Sequence, residues 1–188
     1  MAGRSVAEIA RLSLLFLLLA LLVWFSRPAP WSVLLGAPFV VAGEAVRIWA
    51  AGHLFKTEKL ITSGPYRYTR NPLYLGRFLL FTGVALMAYL PQFHGANLAV
   101  LVLGWLVFFG YYMPRKERIE PARLLTVHGD AYRSYHDVVP PLLPTWRPYP
   151  DNGERWRRER FSRNRESLTA IGFLLLIVVF ALRAFKAI

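Results

Sequence analysis

Apolar residues are grouped along the chain into five long runs that are separated by polar stretches. A helix of about 20 mainly apolar residues crosses the hydrocarbon core of a bilayer, which is about 30 Å thick. The pattern therefore predicts an all-α fold, a polytopic membrane helical bundle of about five transmembrane helices with short cytoplasmic helices. The predicted spans are Ile9–Phe25, Trp31–Leu54, Leu73–Leu90, Asn97–Met113 and Leu168–Phe185.

The composition supports one integral membrane domain over residues 1–188. Hydrophobic residues make up 55% of the chain, which is typical of a membrane protein rather than a soluble domain. Because there is no cysteine, disulfides, thiolate nucleophiles and thiolate metal sites are excluded. The four histidines lack metal-ligand spacing, so no metal site is expected. No A-x-A-like cleavage site follows the first run, which is interpreted as a retained helix.

The positive charges predict which side of the membrane each segment faces. Lysine and arginine are concentrated in segments 55–72 and 114–167 and are absent from 91–96. Since such residues mark cytoplasmic segments, the pattern places the N-terminus and both basic segments inside and the C-terminus outside. The expected location is the cell (inner) membrane, with the active site facing the cytoplasm.

The net charge of +12 follows this topology and does not indicate nucleic-acid binding. The basic stretch 153–165 lies just before the last span, where each cation is worth about 1 kcal/mol against anionic lipid. Anionic lipid is therefore an expected partner, and no nucleic acid is expected. The oligomeric state is left open by the sequence.

Glu44, Arg47 and Arg77 are ionisable residues inside the predicted spans, where charge is costly and is usually paired or functional. Glu44 and Arg47 are three residues apart and share a helix face, so they form a buried pair or line a polar cavity. Arg77 lies about one turn inside the third span, where it can extend toward the lipid head groups or serve a site.

The stretch GPYRYTRNPLYLG, residues 64–76, combines a turn with a helix start. Gly64 and Pro65 indicate a turn, and Asn71 followed by Pro72 indicates the N-terminus of the third span. The free N–H groups of that first turn, with the arginines upstream, predict a site for an anion. These residues alone do not separate an anionic head group from an anionic cofactor.

This stretch resembles the G-x-Y-R-x-x-R-H-P-x-Y-x-G signature of the isoprenylcysteine carboxyl methyltransferase family, which is related to membrane phospholipid methyltransferases. A second block, IEPARLLTVHGDAYRSYHDVVPPLLP at 119–144, is similar to the family's second conserved element. The resemblance implies an integral membrane enzyme that transfers a methyl group from S-adenosyl-L-methionine to a lipophilic acceptor entering from the bilayer. The acceptor group implied is a carboxylate of the isoprenylcysteine type or a lipid amine.

The resemblance also implies which residues form the site. The residues expected to be catalytic are Arg70, Glu120 and Arg123. The residues expected to bind the cofactor are Tyr68, Arg70, Asn71, Pro72, Tyr74, Gly76, Glu120, Tyr132 and Tyr135. Arg70 and the start of the third span suit the carboxylate of the cofactor. Glu120 suits its ribose hydroxyls or its ammonium group, and a tyrosine ring suits its sulfonium.

The chain departs from the family pattern in several places. Asn71 replaces the usual histidine and cannot carry a proton, and Pro121 replaces the second glutamate of a pair. Glu117, one turn before Glu120, is the candidate to compensate for that carboxylate. Two other functions therefore remain open from the sequence: an NADPH-dependent membrane reductase of the sterol type, and a non-enzymatic lipid-binding membrane protein.

Overall fold

The computed structural model describes residues 6–55, 59–163 and 166–186, and every regular element in these ranges is helical. The predicted all-α fold is thus confirmed. The helices are α1 Val6–Phe25, α2 Pro30–His53, α3 Pro72–Met87, α4 Ala96–Val107, α5 Met113–Val138, α6 Arg158–Arg163 and α7 Glu166–Phe185. A 3-10 turn at Gly64–Arg67 precedes α3, and a π-helical turn at Phe108–Tyr112 joins α4 to α5.

Three of the described helical segments are long and apolar enough to cross a membrane. They are α2, the continuous run Ala96–Val138, and α7, while α3 is a shorter apolar helix. In the continuous run, the apolar part ends near Met113, and the charged part that follows is α5. With 26 residues, α5 is longer than the short cytoplasmic helices that were expected. The number of spans, about five from the sequence, stays a prediction.

Helices α2 and α3 approach closely because glycines face each other along their contact. A Cβ atom on Gly43 would lie 2.8 Å from the carbonyl oxygen of Gly76, and one on Gly83 would lie 2.7 Å from that of Gly36. Small residues at such contacts let helix backbones pack together in a membrane. Gly76 is therefore closely approached by another helix.

Replacing Gly83 with alanine is expected to destabilise the bundle, because the added methyl group would also meet Val40 at 2.6 Å. Overpacking of this kind costs about 1–3 kcal/mol. The matched control is Gly172→Ala in α7, where an added Cβ meets nothing within 4 Å. Unfolding in detergent micelles titrated with dodecyl sulfate should show a lower midpoint for Gly83→Ala and no loss for Gly172→Ala. Equal midpoints would contradict the tight α2–α3 contact.

Helix α7 completes the core on the other side of α2. Phe180 is fully buried against α2 and α3 in a cluster that includes Val40 and Met87. Near the C-terminal end of α7, Arg183 donates hydrogen bonds to the carbonyl oxygens of Val23 and, at 2.7 Å, Ser26. The arginine thus satisfies carbonyls left open where α1 ends. This contact explains a positive charge at the end of the chain that is predicted to face outward.

The predicted contact of Glu44 and Arg47 is present and includes a third residue. Arg47 Nε lies 3.7 Å from Glu44 Oε1, and its Nη2 forms a short ion pair with Glu166 at the start of α7. All three residues are buried. We call these residues the buried triad. It joins α2 to α7 and places two carboxylates around one guanidinium.

The proline-rich linker 140–150 has no regular secondary structure, but it is fixed to the first motif by backbone hydrogen bonds. The N–H of Arg70 donates to Pro140 O at 3.0 Å, and the N–H of Thr145 donates to Tyr68 O at 2.9 Å. The N–H of Tyr149 donates to the carbonyl oxygen of Arg67 at 3.0 Å. The two sequence blocks are therefore held against each other.

The basic stretch before α7 also docks on the protein. Trp156 donates from its ring nitrogen to Ile48 O at 3.0 Å and fits over Gly52, where a Cβ would collide with it. The guanidinium of Arg160 lies 3.4 Å from the ring centroid of Phe55. Some of the side chains expected to contact lipid thus stabilise the end of α2 as well.

Candidate functional site

A polar cavity of about 290 Å³ lies where the first motif, the end of α2 and the first half of α5 meet. Its size is near the lower end of small-molecule sites, which are about 300–1,000 Å³. Its lining is mixed, with ionic groups on α5 and apolar side chains from residues 54–61. The residues around it are Leu54, Phe55, Lys59, Leu60, Ile61, Tyr66, Arg70, Asn71, Lys116, Glu117, Glu120, Pro121, Arg123, Leu124, Tyr132 and Tyr135.

Glu117 connects the two motif residues that line this cavity. Arg70 donates from Nη2 to Glu117 Oε2 at 2.7 Å, and Asn71 donates from Nδ2 to Glu117 Oε1 at 2.7 Å. Asn71 Nδ2 also donates to Pro141 O at 2.8 Å. We call Arg70, Asn71 and Glu117 the carboxylate clamp. The carboxylate proposed to compensate for Pro121 thus lies at the cavity and orders both residues.

Helix α3 starts at Pro72, as predicted, but the groups that can donate hydrogen bonds to an anion there are not the predicted ones. Asn71 does not cap the helix with its side chain, which is used in the clamp. The N–H groups of Tyr74 and Leu75 already donate to Asn71 O, and Pro72 has no N–H. In the part of the chain that the structure describes, Nε and Nη1 of Arg70 are buried and have no hydrogen-bond partner. Arg70, rather than the helix amides, is therefore the main donor to an anion.

Tyr132 and Tyr135 lie on the same face of α5, as the spacing predicts, and both are buried at the cavity. Tyr135 donates its hydroxyl hydrogen to Tyr66 O at 2.8 Å, so it also docks α5 on the first motif. Burial raises the pKa of the Tyr135 hydroxyl and of the Tyr132 hydroxyl above the usual value. Both remain neutral at physiological pH and offer hydroxyl groups and aromatic faces.

The remaining charges of the cavity lie on α5 and give it a positive balance. Glu120 pairs with Lys116, one turn earlier, and Arg123 lies one turn beyond the pair. Burial lowers the pKa of the Lys116 ammonium to about 8, with nearby arginines acting in the same direction and Glu117 opposing them. Outside α5, Lys59 also lines the cavity and forms a short ion pair with Glu154. The site can therefore hold a ligand that carries both a carboxylate and cationic groups.

Six of the ten predicted site residues line the cavity, and four do not. The six are Arg70, Asn71, Glu120, Arg123, Tyr132 and Tyr135. Tyr68 and Pro72 border a small apolar depression beside Trp49 instead. Gly76 faces α2, and the ring of Tyr74 lies next to the Arg77 and Lys116 cations. Their roles in binding stay predictions.

The sequence analysis did not single out several cavity residues. Lys116 shares the helix face of Glu120, so the spacing of one turn could have identified it. Tyr66 lies inside the quoted motif but was not assigned a role. A role at the cavity could not be predicted for Lys59 and the apolar residues at 54–61, because they precede the motif and follow no recognisable pattern.

Comparison with known proteins shows what these elements are similar to. A family model described as phospholipid methyltransferase matches residues 31–117. A protein-S-isoprenylcysteine O-methyltransferase of Schizosaccharomyces pombe is 33% identical over 108 residues, which is 56% of this chain and 42% of the relative. The chain is similar to isoprenylcysteine methyltransferases and phospholipid methyltransferases over these residues. The resemblance predicted from the two motifs is thus confirmed.

Two further relatives show the breadth of this similarity. A human protein-S-isoprenylcysteine O-methyltransferase is 31% identical over 128 residues, 61% of this chain and 42% of the relative. A methanethiol S-methyltransferase of Crocosphaera subtropica is 31% identical over 88 residues, 46% of this chain and 29% of the relative. The chain spans less than half the length of these curated relatives. No solved structure matches.

The region matched by the family model joins the first motif to the carboxylate clamp. Residues 31–117 include α2 except its first residue and all of α3, and they end at Glu117, the residue that bridges Arg70 and Asn71. The second motif block lies beyond this match, so the roles of Glu120, Tyr132 and Tyr135 stay predictions.

Proposed function

We propose that this chain is an integral membrane methyltransferase that uses S-adenosyl-L-methionine and methylates a lipophilic acceptor. The observation that carries the proposal is the carboxylate clamp. It holds an arginine with two unpartnered buried nitrogens at the edge of a cavity built from both family motifs. The three relatives are named as methyltransferases, which supports the same activity.

The cavity residues fit the chemical groups of S-adenosyl-L-methionine. The free nitrogens of Arg70 suit its carboxylate, as charge-assisted donors. Glu120 is an acceptor for the ribose hydroxyls or the ammonium group. Apolar side chains such as Leu60 and Leu124 suit a flat base, and the buried rings of Tyr132 and Tyr135 suit a sulfonium, a contact worth about 0.5–2 kcal/mol.

The chain's contribution to the reaction is binding, orientation and exclusion of water. When bound, S-adenosyl-L-methionine would supply a methyl group on a cationic sulfur: an acceptor carboxylate oxygen would bond to the methyl carbon without a general base, the carbon–sulfur bond would break, and S-adenosylhomocysteine would be the leaving group. The clamp fixes Arg70, and the hydroxyl of Tyr135 fixes α5 against Tyr66. Such positioning corresponds to effective molarities of up to about 10⁵–10⁸ M. An arginine such as Arg123 can hold the acceptor carboxylate.

The membrane setting is part of the proposal. The cavity lies beyond the apolar part of the bundle, beside the basic segments that are predicted to be cytoplasmic. The cofactor would therefore enter from the cytoplasm and the acceptor from the bilayer. The proposed location is the inner membrane, with anionic lipid at the basic stretch 153–165 and the active site facing the cytoplasm.

Calorimetry with S-adenosylhomocysteine on the detergent-purified chain tests this proposal. Replacing Arg70 with glutamine is expected to weaken binding by about tenfold or more, because a charge-assisted hydrogen bond is worth about 1.5–3 kcal/mol. The matched control is Arg67→Gln on the same turn, since Arg67 bonds to Tyr149 O and does not line the cavity.

NADPH is the competing ligand in the same measurement. Saturable binding of S-adenosylhomocysteine that is weakened by Arg70→Gln, and not by Arg67→Gln, would support the methyltransferase. Binding of NADPH alone would replace the proposal with the reductase function. Binding of neither ligand to folded protein would favour a lipid-binding protein without turnover. Methyl transfer to N-acetyl-S-farnesylcysteine would then be measured on any variant that binds.

A further inference from the structure

A small apolar depression, of about 180 Å³, lies beside the first motif and shares no lining residue with the polar cavity. Its walls come from α2, the first motif, the start of α3 and the linker 140–150, and they include Trp49, Tyr68, Pro72 and Pro144. Tyr68 and Pro72 were expected to bind the cofactor, and the structure places them here instead. We call this site the Trp49 depression.

The Trp49 depression lies at the level where two apolar helices end. Trp49 is about one turn before the end of α2 at His53, and Pro72 is the first residue of α3. The depression extends from Val46 and Leu75, inside these helices, to the linker outside them. In a bilayer this level is the boundary between acyl chains and head groups, where Trp and Tyr are enriched. The depression can therefore receive the upper part of an acyl chain.

The linker beside the depression presents large side chains outward in fixed positions. Trp146 is 98% exposed and Leu143 is 74% exposed, whereas the neighbouring Leu142 is buried. Three backbone hydrogen bonds hold this linker against the first motif, so the exposed side chains belong to an ordered segment. An indole with one apolar body and one polar N–H is suited to the membrane interface. The linker thus has the form of a surface that lies against head groups.

Arg147 supplies a positive charge next to Trp146. It is exposed, and no carboxylate in the described ranges lies within ion-pair distance of it. A guanidinium pairs with a phosphate through two parallel hydrogen bonds, and anionic head groups attract basic residues near the membrane surface. The depression, the indole and the guanidinium are therefore complementary to the acyl chain, the interface and the phosphate of one lipid.

We propose that an anionic phospholipid of the leaflet predicted to be cytoplasmic binds here, with an acyl chain in the Trp49 depression and its phosphate at Arg147. The site is distinct from that of methyl transfer, because the two cavities have separate linings. The linker also accepts hydrogen bonds from the clamp, at Pro140 O from Arg70 and at Pro141 O from Asn71. A bound lipid would thus hold against the membrane the segment that supports the clamp.

Spin labelling tests the contact with the bilayer, because the chain has no cysteine to compete for the label. A nitroxide on Leu143→Cys, in vesicles of phosphatidylcholine and phosphatidylglycerol, should be relaxed more by oxygen than by a water-soluble nickel complex. Asp130→Cys is the control and should show the reverse, because the Asp130 side chain is 95% exposed on α5. Equal nickel access at both positions overturns the proposal. Dipolar coupling between labels at 143 on separate chains would assign the surface to a second copy and also overturns it.

Native mass spectrometry of the full chain with either phospholipid tests the two parts of the site. Arg147→Gln is expected to lower the preference for phosphatidylglycerol over phosphatidylcholine by about fivefold, the effect of one cation near an anionic surface. Arg133→Gln, an exposed position on α5, is its control.

Filling the depression tests the acyl chain. Val46→Phe should lower the retention of both lipids, whereas Val41→Phe should not, because Val41 is exposed on the same helix and lies outside the lining. An unchanged preference in Arg147→Gln, or equal retention in Val46→Phe and Val41→Phe, overturns the proposal.

Discussion

Replacing Arg47 with methionine is expected to lower the free energy of unfolding by about 3–5 kcal/mol. Arg47 is the only cation in ion-pair contact with Glu44 and Glu166 in the described part of the chain, and all three residues are buried. Removing it leaves two carboxylates without a counter-ion inside an apolar bundle. Methionine keeps an unbranched stem, so the packing of that stem against Gly76 is largely preserved.

A double-mutant cycle separates charge from packing in this experiment. Glu166→Gln removes one carboxylate and, on the Arg47→Met background, should recover part of the lost stability. The two residues are in contact, so their effects should not add. The measurement is the dodecyl sulfate unfolding midpoint and slope of the four proteins in micelles. Additive effects, or an Arg47→Met loss below about 1 kcal/mol, would contradict the structural role of the triad.

The buried triad contains one contact that the sequence predicted and one that it did not. The spacing of Glu44 and Arg47 on one helix predicted their contact, because residues three apart on a helix share a face. Glu166 is 119 residues from Arg47 and begins a helix outside the matched motifs. Nothing in the local pattern of α7 indicates that its first residue reaches α2. Contacts between distant helices depend on packing, which hydrophobic periodicity does not encode.

The helices themselves were predicted well for a physical reason. A span requires a long apolar run, and that signal is local, so the predicted start at Pro72 and the end at Phe25 match the structure. The site was predicted in part. Arg70, Asn71 and the residues of α5 do line one cavity, whereas Gly76 follows the motif in sequence but faces a neighbouring helix. Motif position alone does not show which side of a helix faces the site.

Breaking the carboxylate clamp is expected to have the second largest effect on stability, because Glu117 is the ionic partner of Arg70. Replacing Glu117 with leucine is expected to lower the free energy of unfolding by about 3 kcal/mol. This value is the lower end of the range for removing one partner of a buried ion pair, about 3–5 kcal/mol. The lower end applies because the Glu117 side chain is 26% exposed, whereas that of Arg70 is only 9% exposed. The same change should weaken S-adenosylhomocysteine binding, since Arg70 and Asn71 lose their orientation.

Two companion variants show whether the clamp acts through charge. Asp130→Asn is the control for stability, because the ion pair of Asp130 with Arg133 on the same helix is exposed, and exposed pairs are worth only about 0.2–1 kcal/mol. Arg70→Met combined with Glu117→Leu replaces the pair by apolar side chains and should restore stability, because no unpaired charge remains.

The double variant separates folding from binding at this site. It should unfold near the midpoint of the unmodified chain and still fail to bind S-adenosylhomocysteine, because the free nitrogens of Arg70 are gone. Restored stability with restored binding would show that Arg70 does not contact the ligand. An unchanged midpoint in Glu117→Leu alone would show that Arg70 pairs elsewhere and that the clamp does not order the cavity. Stability and binding must therefore diverge in the double variant if Arg70 is held by Glu117 in order to serve a ligand.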